Sequence, residues 1–391
     1  MKRAFLLTAV IVAGSASAAD GDLRTCLPGL RATAISQGIP GSVFDSATAG
    51  VEFDPTVIEA SQNQPEFKTP IWDYLAGLVD DERIADGRAR LVEWGEVLAR
   101  AEQQYRVDRA TIVAIWGVES DYGRVTGKRQ LVRSLATLSC AGSRQAYFRG
   151  EFISTLKILH AGDVAPEVLV GSWAGAFGHT QFMPSTFLRL AVDFDGDGRR
   201  DLVSSIPDVL GSTANYLARA GWQPGLAWGA EVRVPAGYAG ASGRRNKQPY
   251  AAWKAAGVTR LDGSPVDGTG QAALLLPAGP KGPAFLVTRN FDAIYSYNAA
   301  ESYALAIAHL SDRLRGGAPF ARPWPTDDAG LSRAQRREVQ QALAARGYDV
   351  GAPDGVIGPK SREAIKDVEG KAGMAPTGRA GGRLYRLLVG R

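Results

Sequence analysis

Glu119 closes an apolar run in the string Ala114-Ile115-Trp116-Gly117-Val118-Glu119-Ser120-Asp121-Tyr122-Gly123. A carboxyl group flanked by Trp116 and Val118 is partly stripped of water, which raises its pKa and suits it to protonate a leaving group near neutral pH. A solvated glutamate at a helix end is the competing reading. Asp121 is the nearest second acid, but about 200° of helical rotation points it to the opposite face. A second constellation runs Gly171-Ser172-Trp173-Ala174-Gly175-Ala176-Phe177-Gly178-His179-Thr180-Gln181-Phe182-Met183-Pro184-Ser185. Glycines interleaved with polar and aromatic residues ahead of a helix let a ligand come close to backbone. A tight turn over a buried Phe182-Met183 pair would use the same residues. Asp193, Asp195 and Asp197, followed by Gly198, repeat the alternate-position carboxylates that open a calcium-binding loop. The usual closing glutamate is missing, since Ser204 stands at its place.

These residues need helices to hold them. Apolar positions at Ile84, Leu91, Val92, Val97 and Leu98 give helical spacing from Arg83 to Tyr105. Asp108 is a natural N-cap for the helix that ends at Glu119. Further helical stretches are expected at Leu131 to Leu138, Tyr147 to His160, Pro184 to Ala191, Pro207 to Ala220 and Ser302 to Leu314. Between Trp222 and Arg289 the texture changes to glycine, proline and short β-prone pieces around Val232, Leu274 and Phe285, which predicts a small β-containing insertion at about 223–289. Pro319, Pro323 and Pro325 mark a stiff linker over 317–329. Beyond it Ser332 caps a helix to Arg346, Gly347 stops it, and a second helix spans Ser361 to Lys371.

With 391 residues and 45% apolar content the chain holds two or three domains, and fibrous or disordered classes are excluded. A net charge of +5 without any long basic block argues against nucleic acid as a partner. Lys2 and Arg3, the apolar run Ala4 to Val12, and Ala16-Ser17-Ala18-Ala19 read as a signal peptide over 1–19. That run is too short to cross a bilayer, and no lipoprotein signal precedes Cys26, so an exported, soluble, periplasmic protein without stable membrane insertion or lipid anchor is expected. Cys26 and Cys140 are the only cysteines. An oxidising compartment favours a disulfide between them over two buried thiols. With His160, His179 and His309 scattered, no zinc-ligand spacing exists.

The glutamate and glycine-rich strings closely resemble the lytic murein transglycosylases of the B type. The likeness continues through Arg133-Ser134-Leu135-Ala136-Thr137-Leu138, Tyr147-Phe148-Arg149-Gly150-Glu151, Ala191 to Gly198, Gly211-Ser212-Thr213-Ala214-Asn215-Tyr216-Leu217 and Tyr297-Asn298, covering roughly residues 25 to 315. The resemblance implies a mainly α, lysozyme-like helical core over 20–316. It puts Glu119 at the family's single catalytic glutamate, and Ser172, Gln181, Phe182, Tyr216, Tyr297, Asn298 and Tyr303 along a glycan cleft. It also implies that Asp208 closes an atypical structural calcium loop with Asp193, Asp195 and Asp197, while the chemistry itself needs no cofactor. The implied reaction cleaves the β-1,4 bond between N-acetylmuramic acid and N-acetylglucosamine of peptidoglycan strands, leaving 1,6-anhydro ends. A hydrolytic muramidase and a catalytically silent wall-binding protein are the alternatives. The tail over 330–391 resembles a small three-helix peptidoglycan-binding module, with Asp354, Gly355 and Gly358 in its signature turn. Departures from the two patterns are Ala300 where serine is common, His179 where tyrosine or glutamine is common, and Val368 where the tail module carries an aromatic residue.

Overall fold

The computed structural model describes residues 23–62 and 69–390, so the expected leader over 1–19 lies outside the described residues. Three short helices come first, α1 (Leu23–Ser36), α2 (Gly41–Thr48) and α3 (Pro55–Gln62). Each buries only one to three side chains, among them Leu30, Phe44 and Val57. Next come α4 (Ile71–Leu78), α5 (Asp81–Glu93), α6 (Gly95–Tyr105) and α7 (Arg109–Ser120). The apolar spacing from Arg83 to Tyr105 predicts one helix, but the chain breaks at Trp94, ahead of Gly95. Glycine, which loses the most backbone freedom in a helix, makes that break cheap. Asp80 and Asp108 cap α5 and α7 by accepting the amides of Arg83 and Thr111, satisfying donors that a helix start leaves free. Every residue from Ala110 to Gly117 is buried, so α7 is the central helix of the core. Ile112, Val113 and Ile115 are fully buried there and contribute about 1.5–3 kcal/mol each.

A two-residue ladder of β1 (Arg129–Gln130) with β2 (Val170–Gly171) brackets α8 (Leu131–Ala141) and α9 (Gln145–Ala161), and α10 (Pro184–Leu190) and α11 (Ile206–Arg219) follow. The Cys26–Cys140 disulfide fastens α1 to α8. The insertion contains β3 (Gly229–Arg233), β4 (Lys247–Pro249), α12 (Tyr250–Ala255), β5 (Thr259–Arg260), β6 (Gln271–Leu275) and β7 (Ala284–Val287). The strands form an antiparallel sheet in the order β4-β6-β7-β3-β5. Strand alternation divides the burial of β6 and β7. Ala273, Leu275, Phe285 and Val287 join the main core, whereas Ala272, Leu274, Ala284 and Leu286 pack on Trp253 in a core of the insertion's own.

Two helices, α13 (Arg289–Asn298) and α14 (Glu301–Leu314), return the chain to the main core, where α14 packs along α7. The proline-rich segment is laid over this surface: Phe320 packs on Phe285 and His309, with ring centroids 4.7 and 3.8 Å away. The amides of Ala321 and Arg322 donate to the Glu231 carboxylate. The tail forms α15 (Arg333–Ala344), α16 (Pro359–Lys371) and α17 (Gly382–Val389), around a separate core that includes Val339, Leu343, Ile365 and Leu384. Val368 belongs to this core. A reciprocal capping box between Ser332 and Gln335 starts α15. The tail does not hang free. Arg333 pairs with Asp121 at 2.7 Å, Arg379 with Asp73 at 2.5 Å, and Arg337 with Glu82. Among the described residues no helix is long and apolar enough to cross a membrane.

Candidate active site

Glu119 occupies the last turn of α7, near the negative end of that helix. Its Oε1 accepts a hydrogen bond from the Tyr303 hydroxyl on α14. Burial pushes the carboxyl up to about 7, and the Tyr303 hydrogen bond pulls the other way. No charged side chain contributes to the shift, so desolvation is its cause. The carboxyl group opens on a cavity of about 360 Å³ that it lines with Tyr303, Asn298 and residues of α4.

An aromatic row leads away from this point. Tyr303 stacks on Tyr297 at 6.3 Å, Tyr297 meets Tyr216 at 4.5 Å, and Phe182 touches Tyr297 and Tyr216, each at 5.8 Å. The Tyr297 hydroxyl donates to the Thr180 carbonyl at 2.8 Å and that of Tyr216 to the Ser296 carbonyl at 2.7 Å. Burial raises the pKa of both Tyr297 and Tyr303 well above the ordinary phenol value, so they stay neutral donors. Five of the eight residues expected at the glycan cleft and its acid, Glu119, Tyr303, Tyr297, Tyr216 and Phe182, therefore form one connected group, and Asn298 lines the cavity beside Glu119.

Ser172 and Gln181 meet backbone instead, Ser172 within its own loop and Gln181 both within it and across to Thr126. Ser172 Oγ accepts the Ala176 amide at 3.0 Å, and Gln181 Nε2 donates to the Thr126 and Gly178 carbonyls at 3.0 and 2.9 Å. Their polar atoms shape the loop beside the aromatic row. His179 ties that loop to α7: its Nδ1 accepts from Trp116 Nε1 at 3.0 Å and its carbonyl accepts from Ser120 Oγ at 2.7 Å. Burial lowers the imidazole pKa, which keeps Nδ1 free of a proton to serve as acceptor. Gly123, at φ +90°, makes room, since a Cβ there would lie 2.2 Å from His179 Cε1.

The other carboxylates nearby are occupied. Asp121 caps α7 in a left-handed conformation and pairs with Arg333 and Arg83. Buried Glu151 accepts the Ser185 amide at 2.9 Å and its hydroxyl at 2.7 Å, pinning α9 to the start of α10. Asp73 lines the Glu119 cavity, but Arg379 grips both its oxygens.

Asp193, Asp195 and Asp197 are exposed, and each offers a carboxylate oxygen within 4.8 Å of the others. Three like charges held this close repel one another, an arrangement that a divalent cation with oxygen ligands would relieve. Asp208, expected as the closing ligand, does not join this group. Its buried carboxylate accepts the amides of Phe194, Asp195 and Asp201 and so braces the loop from beneath. In the tail, Gln340 Oε1 accepts the Gly355 amide at 2.7 Å, Asp354 Oδ1 accepts the Val356 amide at 2.8 Å, and Gly358 precedes α16. Arg336 escaped the sequence reading altogether, although it reaches from α15 into the Glu119 cavity.

Comparison with known proteins decides the family. Residues 22–312 match the Transglycosylase SLT domain and residues 332–388 a peptidoglycan binding domain. The chain belongs to the SLT transglycosylase family. Within this family, it is similar to membrane-bound lytic murein transglycosylase B of Escherichia coli (strain K12), with 35% identity over 244 residues. That match spans 61% of this chain and 65% of the relative. The structure of SltB3 from Pseudomonas aeruginosa in complex with NAG-anhNAM-pentapeptide superposes with a TM-score of 0.76 at 44% identity, over 94% of this chain and 99% of that one. Escherichia coli Slt35 in complex with calcium gives 0.67 at 30% identity, over 76% and 94% of the two chains. The main core is thus the SLT family's lysozyme-like helical fold, carrying a peptidoglycan-binding helical module at its C-terminal side.

Proposed function

We propose that the protein is an exported lytic transglycosylase of the periplasm, acting on peptidoglycan glycan strands at the β-1,4 bond from N-acetylmuramic acid to N-acetylglucosamine. The observation that carries this reading is a desolvated acid whose only cavity-mate carboxylate among the described residues, Asp73, is held by Arg379 through both oxygens. Burial raises the Glu119 pKa to about 7, with the Tyr303 hydrogen bond as the only opposing influence. Glycoside hydrolases instead set two carboxyl groups about 5 to 9.5 Å apart. With one acid, Glu119 donates its proton to the leaving oxygen. The resulting carboxylate then takes the proton of the muramic acid C6 hydroxyl, which closes onto C1 and leaves a 1,6-anhydro end. Tyr303, hydrogen-bonded to Glu119, steadies that carboxylate, while the tyrosine row and Asn298 offer ring faces and an amide to the sugars. That SltB3 was solved with an anhydro-muramyl peptide supports the same product class here.

The unit that does this is residues 20–316 with its insertion at about 223–289, followed by the linker 317–329 and the peptidoglycan-binding module 330–391. The leader over 1–19 remains part of this proposal. Asp193, Asp195 and Asp197 would hold a calcium ion whose role is to order the loop; no step of the reaction passes through it.

Digestion of purified sacculi in heavy-oxygen water tests the reading. Unlabelled 1,6-anhydro ends are expected, and Glu119→Gln is expected to remove lysis while the protein stays folded. Labelled reducing ends as the main product would establish a muramidase, with Asp73 as the carboxylate to examine as base. Undiminished lysis by Glu119→Gln would remove the glutamate from its role.

A further inference from the structure

The cavity at Glu119 is walled in part by the tail. Arg336 of α15 lines it together with Glu119, Tyr303 and Asn298. The same residue lines a groove of about 1200 Å³ that runs between the core and the tail, past Gly355 of the signature turn and the exposed Arg362. Arg336 therefore stands where the two spaces meet. Gly77 on α4 leaves open space beside it, since a Cβ there would lie 2.8 Å from Arg336 Nη2.

Its partners are few. Nη2 donates to the Gly77 carbonyl at 3.3 Å, and Nε is buried without a hydrogen-bond partner. Among the described residues no carboxylate forms an ion pair with Arg336: Asp80 and Asp73 are near enough to favour its charge, Arg83 and Arg333 oppose it, and Arg333, Arg337 and Arg379 already pair with Asp121, Glu82 and Asp73. A guanidinium presents five donors and keeps its charge at any ordinary pH. Nearby carboxylates favour its charge but accept none of its hydrogen bonds, and leaving those donors desolvated is costly unless a ligand supplies acceptors.

We infer that Arg336 binds a carboxylate on the peptide stem of the glycan strand, at the junction between the Glu119 cavity and the groove. This rests on the transglycosylase reading. The sugar backbone of that substrate is uncharged, and its anionic groups are the free carboxylates of the peptide borne by muramic acid. A planar guanidinium fork matches such a carboxylate in two parallel hydrogen bonds. The groove gives the peptide room to leave the cavity. The tail thereby contributes to choice of substrate at the reacting bond as well as to retention on the wall.

Binding tests this separately from turnover. The probe is a soluble disaccharide peptide, GlcNAc-MurNAc with its stem, prepared with free carboxylates or with the carboxylates converted to amides by carbodiimide and ammonia. Affinities are measured on the full chain carrying Glu119→Gln, alone and combined with Arg336→Gln or Arg336→Lys. The parent is expected to prefer the free-carboxylate probe by about tenfold or more. Arg336→Gln should erase the preference with little effect on the amidated probe, and Arg336→Lys should restore part of it. A parent that binds both probes equally, or an Arg336→Gln protein that keeps the preference or weakens both probes alike, would overturn the assignment. Failure of the transglycosylase reading would show in the heavy-oxygen digestion and not in these affinities.

Discussion

Glu119 is held between two opposing influences, burial that raises its pKa to about 7 and the Tyr303 hydrogen bond that lowers it. Removing the hydroxyl with Tyr303→Phe removes only the second. The acid should then titrate higher, so the alkaline fall of kcat/KM moves to higher pH. The plateau rate should drop about tenfold, because the carboxylate left after proton donation loses its donor. A pH profile of strand cleavage reads both, and an unmoved alkaline limb would detach Tyr303 from the acid. Glu119 was legible in sequence as an acid at an apolar helix end, and Tyr303 through the family resemblance as a cleft residue, but that the two bond to each other was not, since they are 184 positions apart. Arg336 was not, since its meaning depends on Gly77, which lies 259 positions away. Gln181 and Ser172 show a related gap: residue type names a hydrogen-bonding group but not which backbone atom it will meet.

Elements rather than single side chains hold the glycine-rich loop, and Glu151 is the joint between two of them. Its carboxylate meets the first-turn amide and hydroxyl of Ser185 on α10, where an anion also suits the helix end. Glu151→Ala should cost about 2 kcal/mol or more in urea denaturation and slow cleavage without shifting the pH limb set by Glu119. The aspartate loop ahead of α11 behaves as another joint. Millimolar calcium should raise the melting temperature, and Asp195→Ala with Asp197→Ala should abolish that response. An unchanged melting curve with calcium would leave only a polar turn. Caps made α7 and α15 readable, since Asp108 and Ser332 advertise a helix start. In contrast, α1 to α3 gave little signal. Their few buried residues stabilise helix only once α8 and α9 are present to pack on.

Across the whole molecule, distant segments are joined by one covalent bond and a set of ion pairs. The Cys26–Cys140 bond spans 114 positions, and replacing both cysteines by serine should lower stability by about 2 to 4 kcal/mol through the freer unfolded chain. Equal denaturation midpoints for the two proteins would contradict this. Composition exposed the linker and the tail as separate stretches, yet not their docking. Pairs such as Asp73 with Arg379, 306 positions apart, leave no local pattern to read. That separation also has a meaning in time. The chain is made from its N-terminus forward, and contacts of such long range are the slowest to form. Glu119 and Tyr303 both lie ahead of α17 in the chain, so both are synthesised before the last helix. The wall that carries Arg336 is held by pairs that span more than 200 positions, such as Arg333 with Asp121 and Arg379 with Asp73. On folding, therefore, Glu119 and Tyr303 are expected to come together before Arg336 completes the wall of their cavity, which makes that cavity the last feature of the fold to close.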